Sequence, residues 1–427
     1  MFKSFIQKKL ESFVKSYFIK HPEVILVVVT GSVGKTSTKV AIATVLSERY
    51  KVRLHEDNHN TNMSAPLAIL GIEYPKNIKD PREWLAVFRA ARERVDGPTD
   101  VDVIIQELGS DRIGQVPHFG TYLNPDIGVV TAVSAEHMEY FHTIDTVAEE
   151  ELSVANFSKQ ALINKDDIDG KYAAYLTNSH VNTYGTSATA EYHFISENYT
   201  AKEGQTGLFF APELPDPVST SIQIFGEHTL RPAIAAGAVA VKLGMNATEI
   251  ASGLSKVHSL PGRMNKLLGV NNTTIIDDTY NSSPLAAISS LRVLYQILAP
   301  QRIAVLGDMN ELGEISAVEH EALGKLCDPN QLAWVVTVGD QAERFLAPAA
   351  RARGCQVKSF KNALLAGAFV RGVIEDGSAI LFKGSQGGVY LEEAVKVLLH
   401  SSSDELQLVR QSPEWMARKM AFFSESN

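Results

Sequence analysis

The sequence predicts an α/β fold with a short N-terminal helix, a P-loop-containing central domain with a parallel sheet, and a C-terminal Rossmann-like α/β domain. Two observations favour this fold class. Apolar runs that suit strands buried on both faces alternate with amphipathic helical segments along most of the chain. One early run leads directly into a glycine-rich loop and a helix, the order found at the ligand-binding edge of doubly wound sheets. We therefore expect three regions, residues 1–22, 23–260 and 261–427.

Composition limits the function classes to which the chain can belong. Its 427 residues allow two or three domains, since domains usually hold roughly 100–200 residues. A net charge of −9 argues against a general nucleic-acid binder, because phosphate neutralisation needs a basic surface. No apolar run approaches the ~20 residues of a membrane span. Two cysteines, Cys327 and Cys355, are too few for a disulfide framework, so we expect a reducing, cytoplasmic setting.

The N-terminal segment has the spacing of an amphipathic helix. Its apolar residues are Phe2, Phe5, Ile6, Leu10, Phe13, Val14, Tyr17 and Phe18, and the other face carries Lys3, Lys8, Lys9, Lys15 and Lys20. A basic amphipathic helix can lie on a membrane surface, so a peripheral membrane contact through residues 1–20 is one interpretation. The interpretation that we favour is a helix packed on the domain that follows.

The central region contains three strand-like runs and one stretch of a different character. Residues 24–29, 101–106 and 127–133 suit strands of a parallel sheet. Residues 190–225 alternate aromatic and polar side chains between Gly and Pro turns, which predicts antiparallel strands attached to this domain. An alanine-rich segment at about 231–243 predicts a helix before the proposed boundary.

The C-terminal region repeats the alternation of strands and helices. Strands are predicted at residues 274–276, 302–306, 334–338 and 379–382, and helices at 286–298, 318–326 and 391–399. This pattern is typical of a second α/β domain with its own parallel sheet.

The glycine-rich loop after residues 24–29 is the strongest local signal. Backbone N–H groups of such a loop cradle phosphate oxygens at the positive end of a helix. Lys35 would reach the β- and γ-phosphates, and the Thr36 hydroxyl would bind Mg²⁺. The full Walker pattern has another glycine where this chain has Val29. The expected nucleotide contacts are Gly31, Ser32, Val33, Gly34, Lys35, Thr36 and Ser37.

Two polar residues follow neighbouring strands of the central region. Glu107 comes directly after residues 101–106, and His137 lies just beyond residues 127–133. Ligands bind at the carboxyl ends of parallel strands, so both side chains can face the phosphates. A carboxylate suits Mg²⁺, which prefers oxygen ligands. A surface or helix-capping role is the alternative for each residue.

Two further segments at strand ends are candidate substrate or ribose contacts. One is Asp277-Asp278-Thr279-Tyr280-Asn281, for which a turn that caps the next helix is the alternative. The other is Lys383-Gly384-Ser385, a glycine-rich turn that opens a helix. Taken singly, each of these segments is a weak signal.

In combination and in order, these motifs resemble the Mur ligase superfamily of ATP-dependent amide-bond synthetases. The resemblance rests on the glycine loop, Glu107-Leu-Gly, His137, Pro261-Gly-Arg263 and the acidic segment that begins at Asp277. Residues 305–313 and Lys383-Gly-Ser385 are most similar to the branch that adds D-alanyl-D-alanine to a UDP-linked muramyl tripeptide.

The resemblance implies a mechanism and a set of roles. A substrate carboxylate would attack the ATP γ-phosphate, and an incoming amine would displace phosphate from the acyl phosphate. Arg263 and Asp278 would contact the nucleotide. Catalysis would depend on Lys35, Glu107 and His137. Two Mg²⁺ ions are implied, and their ligands would include Thr36, Glu107 and His137.

Three departures from the family pattern affect the site. Many relatives carry a carbamylated lysine where this chain has Glu151. We expect Glu151 to replace the carbamate as metal ligand or charge partner, and a solvated acidic turn is the alternative. His228 is retained as a nucleotide contact, although Thr229 and Pro232 follow it where relatives have Asn. Near Lys383, basic residues are missing, which leaves the identity of the amine open.

Substrate contacts are implied in both regions of the chain. They are Asn58, Asn60, Asn62, Tyr280, Asn281, Lys383 and Ser385. A simple turn is the alternative for the three asparagines. Relatives that act on UDP-linked muramyl peptides hold the UDP-sugar in an N-terminal domain. About thirty residues precede Gly31, too few for such a domain, so we expect it to be missing.

The leading hypothesis is an ATP-dependent ligase that joins D-Ala-D-Ala, or a similar amino acid or dipeptide, to a peptidoglycan-precursor peptide. The nearest alternative is a ligase similar to folylpolyglutamate synthetase. A non-catalytic nucleotide-binding subunit is an alternative of a different class. The expected partners are small-molecule substrates, with no nucleic acid, and the oligomeric state is left open.

Overall fold

A computed structural model describes residues 2–55, 59–200 and 204–425, and it confirms the mixed α/β class. The helices in this part of the chain are α1 (Phe2–Lys20), α2 (Lys35–Leu46), α3 (Ala65–Leu70), α4 (Pro81–Asp96), α5 (Gln115–Phe119), α6 (Met138–Phe141), α7 (Ile144–Phe157), α8 (Arg231–Lys242), α9 (Ala247–Ser255), α10 (Pro284–Gln296), α11 (Ser316–Leu326), α12 (Ala347–Ala352), α13 (Ala363–Val373), α14 (Glu392–Leu398) and α15 (Pro413–Glu425). None of these helices is long and apolar enough to cross a bilayer.

The strands form two sheets. They are β1 (Ile25–Thr30), β2 (Val52–Leu54), β3 (Val103–Glu107), β4 (Ile127–Val130), β5 (Gln160–Asn164), β6 (Val181–Gly185), β7 (Tyr192–Thr200), β8 (Gly204–Phe210), β9 (Val218–Ile222), β10 (Asn265–Leu268), β11 (Thr274–Asp278), β12 (Arg302–Gly307), β13 (Trp334–Val338), β14 (Val357–Phe360) and β15 (Ala379–Lys383).

The chain divides into two compact units, which are described separately below. The first contains the residues up to Ser134 together with Tyr140–Ile224 and His228–His258, and the second contains Ala135–Glu139, Phe225–Glu227 and the residues from Ser259 onward.

Helix α1 packs on the first unit, as the favoured interpretation predicts. Ile6, Leu10, Val14 and Tyr17 are buried along one side, against α3 and α4. Burying each of these side chains stabilises the fold by about 1.5–3 kcal/mol. The apolar side of α1 therefore faces protein, and any contact of this helix with lipid must use its opposite side.

The sheet of the first unit has the order β2-β3-β1-β4-β5-β6-β7-β8-β9. Strand β1 is central and pairs in parallel with β3 and β4, which explains why its valines are fully buried on both faces. Val29 of β1 is in register with Glu107 of β3, so the glycine loop and this carboxylate emerge at the same edge. The predicted antiparallel strands are confirmed as β7, β8 and β9, which extend this sheet.

The sheet of the second unit has the order β10-β11-β15-β12-β13-β14. Only the edge strand β10 is antiparallel to its neighbour among these six. Strand β15 lies between β11 and β12, and its last residue, Lys383, is in register with Asp278 and Leu306. The topology thus brings the acidic segment after β11 beside the glycine-rich turn after β15.

Candidate functional site

The loop between β1 and α2 requires its two glycines. Gly31 has φ 126°, and a Cβ there would lie 2.3 Å from Thr131 Oγ1 and 2.7 Å from Ala132 N. Gly34, with φ 87°, precedes the first residue of α2. Ser32 is held in place because its Oγ accepts a 2.9 Å hydrogen bond from Ser134 N. A larger residue at position 31 would therefore displace the loop.

Three predicted site residues meet at the carboxyl end of β3. Thr36 Oγ1 donates a 3.0 Å hydrogen bond to Glu107 Oε2, and Asn60 Nδ2 donates a 3.1 Å bond to Glu107 Oε1. Gly109 permits this approach, since a Cβ there would lie 2.7 Å from Asn60 Nδ2. Lys35 Nζ donates to Gly31 O, so its side chain lies along the loop. The Glu-Leu-Gly motif thus serves to place one carboxylate beside the phosphate loop.

Lys39 belongs to the same group, and the sequence analysis missed it. Its Nζ lies 3.6 Å from Glu107 Oε2 and donates a 2.9 Å bond to His55 O. Its side chain is only 3% exposed. A second lysine in α2, three positions after Thr36 and followed only by apolar or hydroxylic residues, was the available signal. Lys39 offsets the charge of the buried Glu107.

Glu151 lies against the phosphate loop. It is on α7, is 1% exposed, and accepts hydrogen bonds from Gly31 N at 2.7 Å and from Thr30 Oγ1. The alternative of a solvated acidic turn is therefore wrong for this residue. Its role as a substitute for a carbamate stays a prediction.

His137 lies in the segment Ala135–Glu139, which belongs to the second unit. Its Nδ1 is 3.0 Å from Glu311 Oε2, and Met138 N donates a 3.0 Å bond to Glu311 O. The hydrogen bond from His137 lowers the pKa of the Glu311 carboxyl. A metal-binding role for His137 stays a prediction. Asn58 lies outside the described residues, and the contact expected from His228 likewise stays a prediction.

Asp278 and Lys383, predicted from separate motifs, form a buried ion pair. Lys383 Nζ lies 2.8 Å from Asp278 Oδ2 and donates a 2.7 Å bond to Asn281 O. Asp278 also accepts hydrogen bonds from Ser290 Oγ at 2.6 Å and Met264 N at 3.2 Å. These contacts hold the acidic segment against the end of β15.

Arg263 and Tyr280 form a stacked pair. The Arg263 guanidinium carbon is 4.0 Å from the centroid of the Tyr280 ring. The turn behind them is fixed because Tyr280 N donates to Gly262 O at 2.9 Å and Gly262 N donates to Asp277 Oδ2 at 3.0 Å. Burial raises the pKa of the Asp277 carboxyl to about 6. The helix-capping alternative does not apply to Asn281, because Ser283 caps α10.

Ser385 lies next to an incompletely satisfied polar group. Its Oγ donates to Ser282 O at 3.3 Å and accepts from Asn310 N at 2.9 Å. Within the described chain, the buried Ser282 Oγ and, in the first unit, Asn62 Oδ1 have no hydrogen-bond partner. Buried polar atoms normally pair, so these two atoms suit ligand contacts.

Arg410 is a functional candidate that no sequence motif indicated. Its guanidinium makes 2.7 and 2.8 Å bonds to Glu392 and donates to Tyr280 O at 2.9 Å and Thr279 O at 2.7 Å. Glu392, fully buried, also lies 2.9 Å from Lys419 Nζ. Burial would raise the pKa of Glu392, but the hydrogen bonds and charges of Arg410 and Lys419 lower it overall. Arg410 therefore fixes the backbone that carries Tyr280.

We expect Arg410→Lys to destabilise the protein by about 2–3 kcal/mol, because an ammonium cannot replace the guanidinium in two bonds to Glu392 and two to backbone carbonyls. Urea denaturation followed by circular dichroism measures the change. Arg351→Lys, on an exposed position, is the control and should shift stability by less than about 0.5 kcal/mol. Equal stabilities for the two variants would contradict this role.

His320 is buried and neutral behind the 307–312 loop. Its Nε2 accepts a 2.9 Å bond from Met309 N, and its Nδ1 pairs with Ser316 O at 2.8 Å. Burial lowers the pKa of the His320 imidazole. Below pH ~6.5 the imidazole binds a proton in the unfolded chain more readily than in the folded chain. The stability that the neutral His320 contributes is therefore lost as pH falls.

We therefore expect the slope of the unfolding free energy against pH, between about pH 7.5 and 5.5, to be smaller in His320→Gln. The difference in slope corresponds to the uptake of at most one proton on unfolding. Urea titrations at several pH values measure this slope. His400→Gln changes an exposed histidine and should leave the slope unchanged. A wild-type slope in His320→Gln would refute the assignment.

The side chains near the phosphate loop can hold a metal only in part. Among the described residues, no group of three or more His, Cys, Asp or Glu is arranged as a complete metal site. Mg²⁺ usually takes only one or two protein ligands and completes its shell with phosphates and water. The Thr36 hydroxyl and Glu107 carboxylate, 3.0 Å apart, are oxygen donors that fit this arrangement.

The strand–glycine loop–helix unit, with a buried carboxylate at the Thr36 hydroxyl, defines a nucleotide-binding enzyme of the P-loop type. Two family models match the chain: Mur ligase middle domain over residues 29–240, and Mur ligase, glutamate ligase domain over residues 262–386. The chain belongs to the Mur ligase family and is an ATP-binding ligase of that type.

The chain is similar in sequence to curated ligases and similar in fold to solved structures. The UDP-N-acetylmuramoyl-tripeptide–D-alanyl-D-alanine ligase of Bacillus subtilis is 28% identical over 387 residues, which cover 87% of this chain and 75% of that protein. Among solved structures, MurF from Acinetobacter baumannii aligns with a TM-score of 0.74 at 20% identity, covering 90% of this chain and 79% of the other. MurF from Thermotoga maritima, in complex with ADP, aligns with a TM-score of 0.71 at 21% identity, and the alignment covers 91% of this chain and 83% of the other.

The match to the curated ligases is partial in length. The first four alignments cover between 65% and 75% of those relatives.

Proposed function

We propose that the chain is an ATP-dependent carboxylate–amine ligase that adds D-Ala-D-Ala to the peptide of a peptidoglycan precursor. The observation that carries the proposal is the group Thr36–Glu107–Asn60 beside a glycine loop, in a chain similar to the B. subtilis ligase over 87% of its length. A buried carboxylate and a hydroxyl at a phosphate cradle suit phosphoryl transfer, which depends mainly on positioning and charge neutralisation.

In the first step, a carboxylate oxygen of the acceptor peptide bonds to the γ-phosphorus while the bond to the β-phosphate oxygen breaks, giving an acyl phosphate and ADP. Lys35 neutralises charge on the β- and γ-phosphates, and backbone N–H groups of residues 33–36 bind their oxygens. In the second step, the amine of the dipeptide attacks the acyl carbon, phosphate leaves, and the amine loses a proton.

Mg²⁺, held by Thr36 and Glu107, would supply positive charge to the phosphates. We propose a second ion that involves His137, as the family resemblance implies. Arg263, Tyr280 and Asp278 are the proposed nucleotide and substrate contacts in the second unit, with Asn281, Lys383 and Ser385. The unpartnered Ser282 Oγ and Asn62 Oδ1 support ligand contacts near Ser385 and Asn60.

Glu151 is proposed to take the place of a carbamylated lysine. Its burial and the hydrogen bonds that it accepts from Thr30 and Gly31 support a carboxyl group fixed in position against the loop. We expect activity to survive careful removal of CO₂, because the side chain carries its own carboxylate. Phosphate release in CO₂-depleted buffer, with and without bicarbonate, measures this. Strong rescue by bicarbonate would refute the idea.

The decisive experiment is a phosphate-release screen. Purified protein with ATP and Mg²⁺ is given UDP-linked muramyl tripeptide with D-Ala-D-Ala, or folate with L-Glu, and products are identified by mass spectrometry. Amide formation in the first mixture supports the proposal, and turnover only in the second identifies a folylpolyglutamate-type ligase. ATP binding without turnover in any mixture would indicate a non-catalytic subunit.

A further inference from the structure

The outer sides of α1 and α4 form a basic surface on the first unit, here called the basic face. Its exposed cations are Lys8, Lys9 and Lys15 from α1 and Arg82, Arg89 and Arg92 from α4. The two helices contain nine Lys or Arg and four Asp or Glu, whereas the chain as a whole has a net charge of −9. Positive charge is therefore concentrated on these helices against the trend of the protein.

Four acidic residues on these helices offset part of this charge: Glu11 is buried, Glu83 is half-buried, and Glu93 and Asp96 are exposed. Glu11 points inward, where its Oε1 lies 2.7 Å from His118 Nε2. Asp96 lies within 3.6 Å of Arg92 and is also paired with Lys20. With nine basic and four acidic residues, the two helices keep an excess of five positive charges, which would attract an anionic partner.

A groove of about 600 Å³ runs between the two helices within the basic face. Its floor contains the rings of Phe13 and Phe88, whose centroids are 6.2 Å apart. Lys9, Lys20, Arg89 and Arg92 line it together with one acidic residue, Asp96. The Lys9 ammonium is 5.0 Å from the Phe13 ring. Cations above an apolar floor suit a phosphate headgroup joined to an acyl chain, because the two parts of the groove match the two parts of a lipid.

Apolar side chains project from the basic face among the cations. Phe5 is 61%, Ile19 70% and Leu85 64% exposed. Helix α1 has 19 residues and is therefore about 28 Å long, which gives an extended surface. Lysines and arginines beside protruding Phe, Ile and Leu are the composition of peripheral membrane helices.

We propose that the basic face docks on an anionic phospholipid bilayer, with a headgroup phosphate between Lys9 and Arg89 and with Phe5 and Ile19 entering the interface. The side of α1 that would touch lipid is opposite to the apolar side that packs on the protein. The proposal does not depend on ligase activity. It would bring the protein to a membrane surface.

The test is co-sedimentation of the full chain with sucrose-loaded vesicles of 30% phosphatidylglycerol in phosphatidylcholine, or of phosphatidylcholine alone, at low and high salt. We expect binding only to the anionic vesicles, and weaker binding at high salt. Lys9→Gln/Arg89→Gln should lower the partition coefficient about tenfold or more, since each cation near the surface contributes about 1 kcal/mol. Phe5→Ser/Ile19→Ser should also weaken binding.

Arg351→Gln/Lys358→Gln is the matched control, because it removes two exposed cations from the second unit. It should bind like the wild type, and unchanged melting temperatures would show that all variants fold. The proposal would be overturned if the wild type bound neutral and anionic vesicles equally, or if the control variant lost as much binding as Lys9→Gln/Arg89→Gln. It would also be overturned if the protein bound an acidic protein but no vesicles. Since the assay contains no ATP, its failure is distinct from failure of the proposed ligase activity.

Discussion

Lys35→Ala is expected to reduce substrate-dependent ADP formation by about 10³-fold or more, because the loop loses the charge that neutralises the β- and γ-phosphates. Lys35 lies on the loop, with its Nζ donating to Gly31 O, so its removal should change the charge at the phosphates without opening a core cavity. A coupled assay for ADP with saturating acceptor and amine measures the effect.

The control for this variant is Lys159→Ala. Lys159 is in the same unit, is 57% exposed, and pairs with Asp126 at 2.7 Å on the surface. It should retain wild-type turnover. Wild-type ADP formation by Lys35→Ala would show that the glycine loop is not the catalytic phosphate site.

Lys383→Met is expected to have the largest effect on stability, about 3–5 kcal/mol, because it leaves the Asp278 carboxylate buried without its cation. The side chains of Lys383 and Asp278 are 4% and 10% exposed, so water can replace little of the lost interaction. Urea denaturation measures the loss. Turnover should also fall if Asp278 contacts the nucleotide, because Lys383→Met removes the ion pair that holds the Asp278 side chain in place.

A double variant separates burial of a charge from loss of packing. Asp278→Asn in the Lys383→Met background should recover part of the stability, because the uncompensated charge is removed. Lys325→Met breaks an exposed pair with Glu321, 63% and 50% exposed, and should cost less than about 1 kcal/mol. An equal loss in Lys383→Met and Lys325→Met would show that the buried pair contributes little.

The sequence predicted the fold best where a pattern has one physical cause. The valines of β1 could be assigned because only a strand buried on both faces needs a continuous apolar run. Short elements such as β2, with three half-buried residues, lack such a pattern. The helix α15 was also missed, because its main anchor is Lys419, buried against Glu392 and Glu393, and a lysine normally predicts an exposed position.

The residues of the candidate site that belong to a local sequence motif could be predicted from the sequence. The position of Glu107 beside the glycine loop and Thr36 followed from strand ends that share an edge of the sheet, whereas Asn60 was implied by the family resemblance. Lys39 and Arg410 were missed because their roles depend on contacts distant in sequence. Arg410 lies 130 positions from Tyr280, whose carbonyl it binds, and no local spacing encodes such a pair.

The central position of β1 affects how the chain folds during synthesis. Residues 25–29 emerge early, yet their partners in β3 and β4 begin at Val103 and Ile127. At about 5–20 residues per second, the strand waits roughly 4–20 s for its neighbours, with an aggregation-prone valine run unpaired. Helix α1 is made before β1, and Val14 and Tyr17 pack in the same core as Val24, Leu26 and Val28. Helix α1 can thus cover one face of β1, the strand that precedes the phosphate loop, before β3 and β4 have been made.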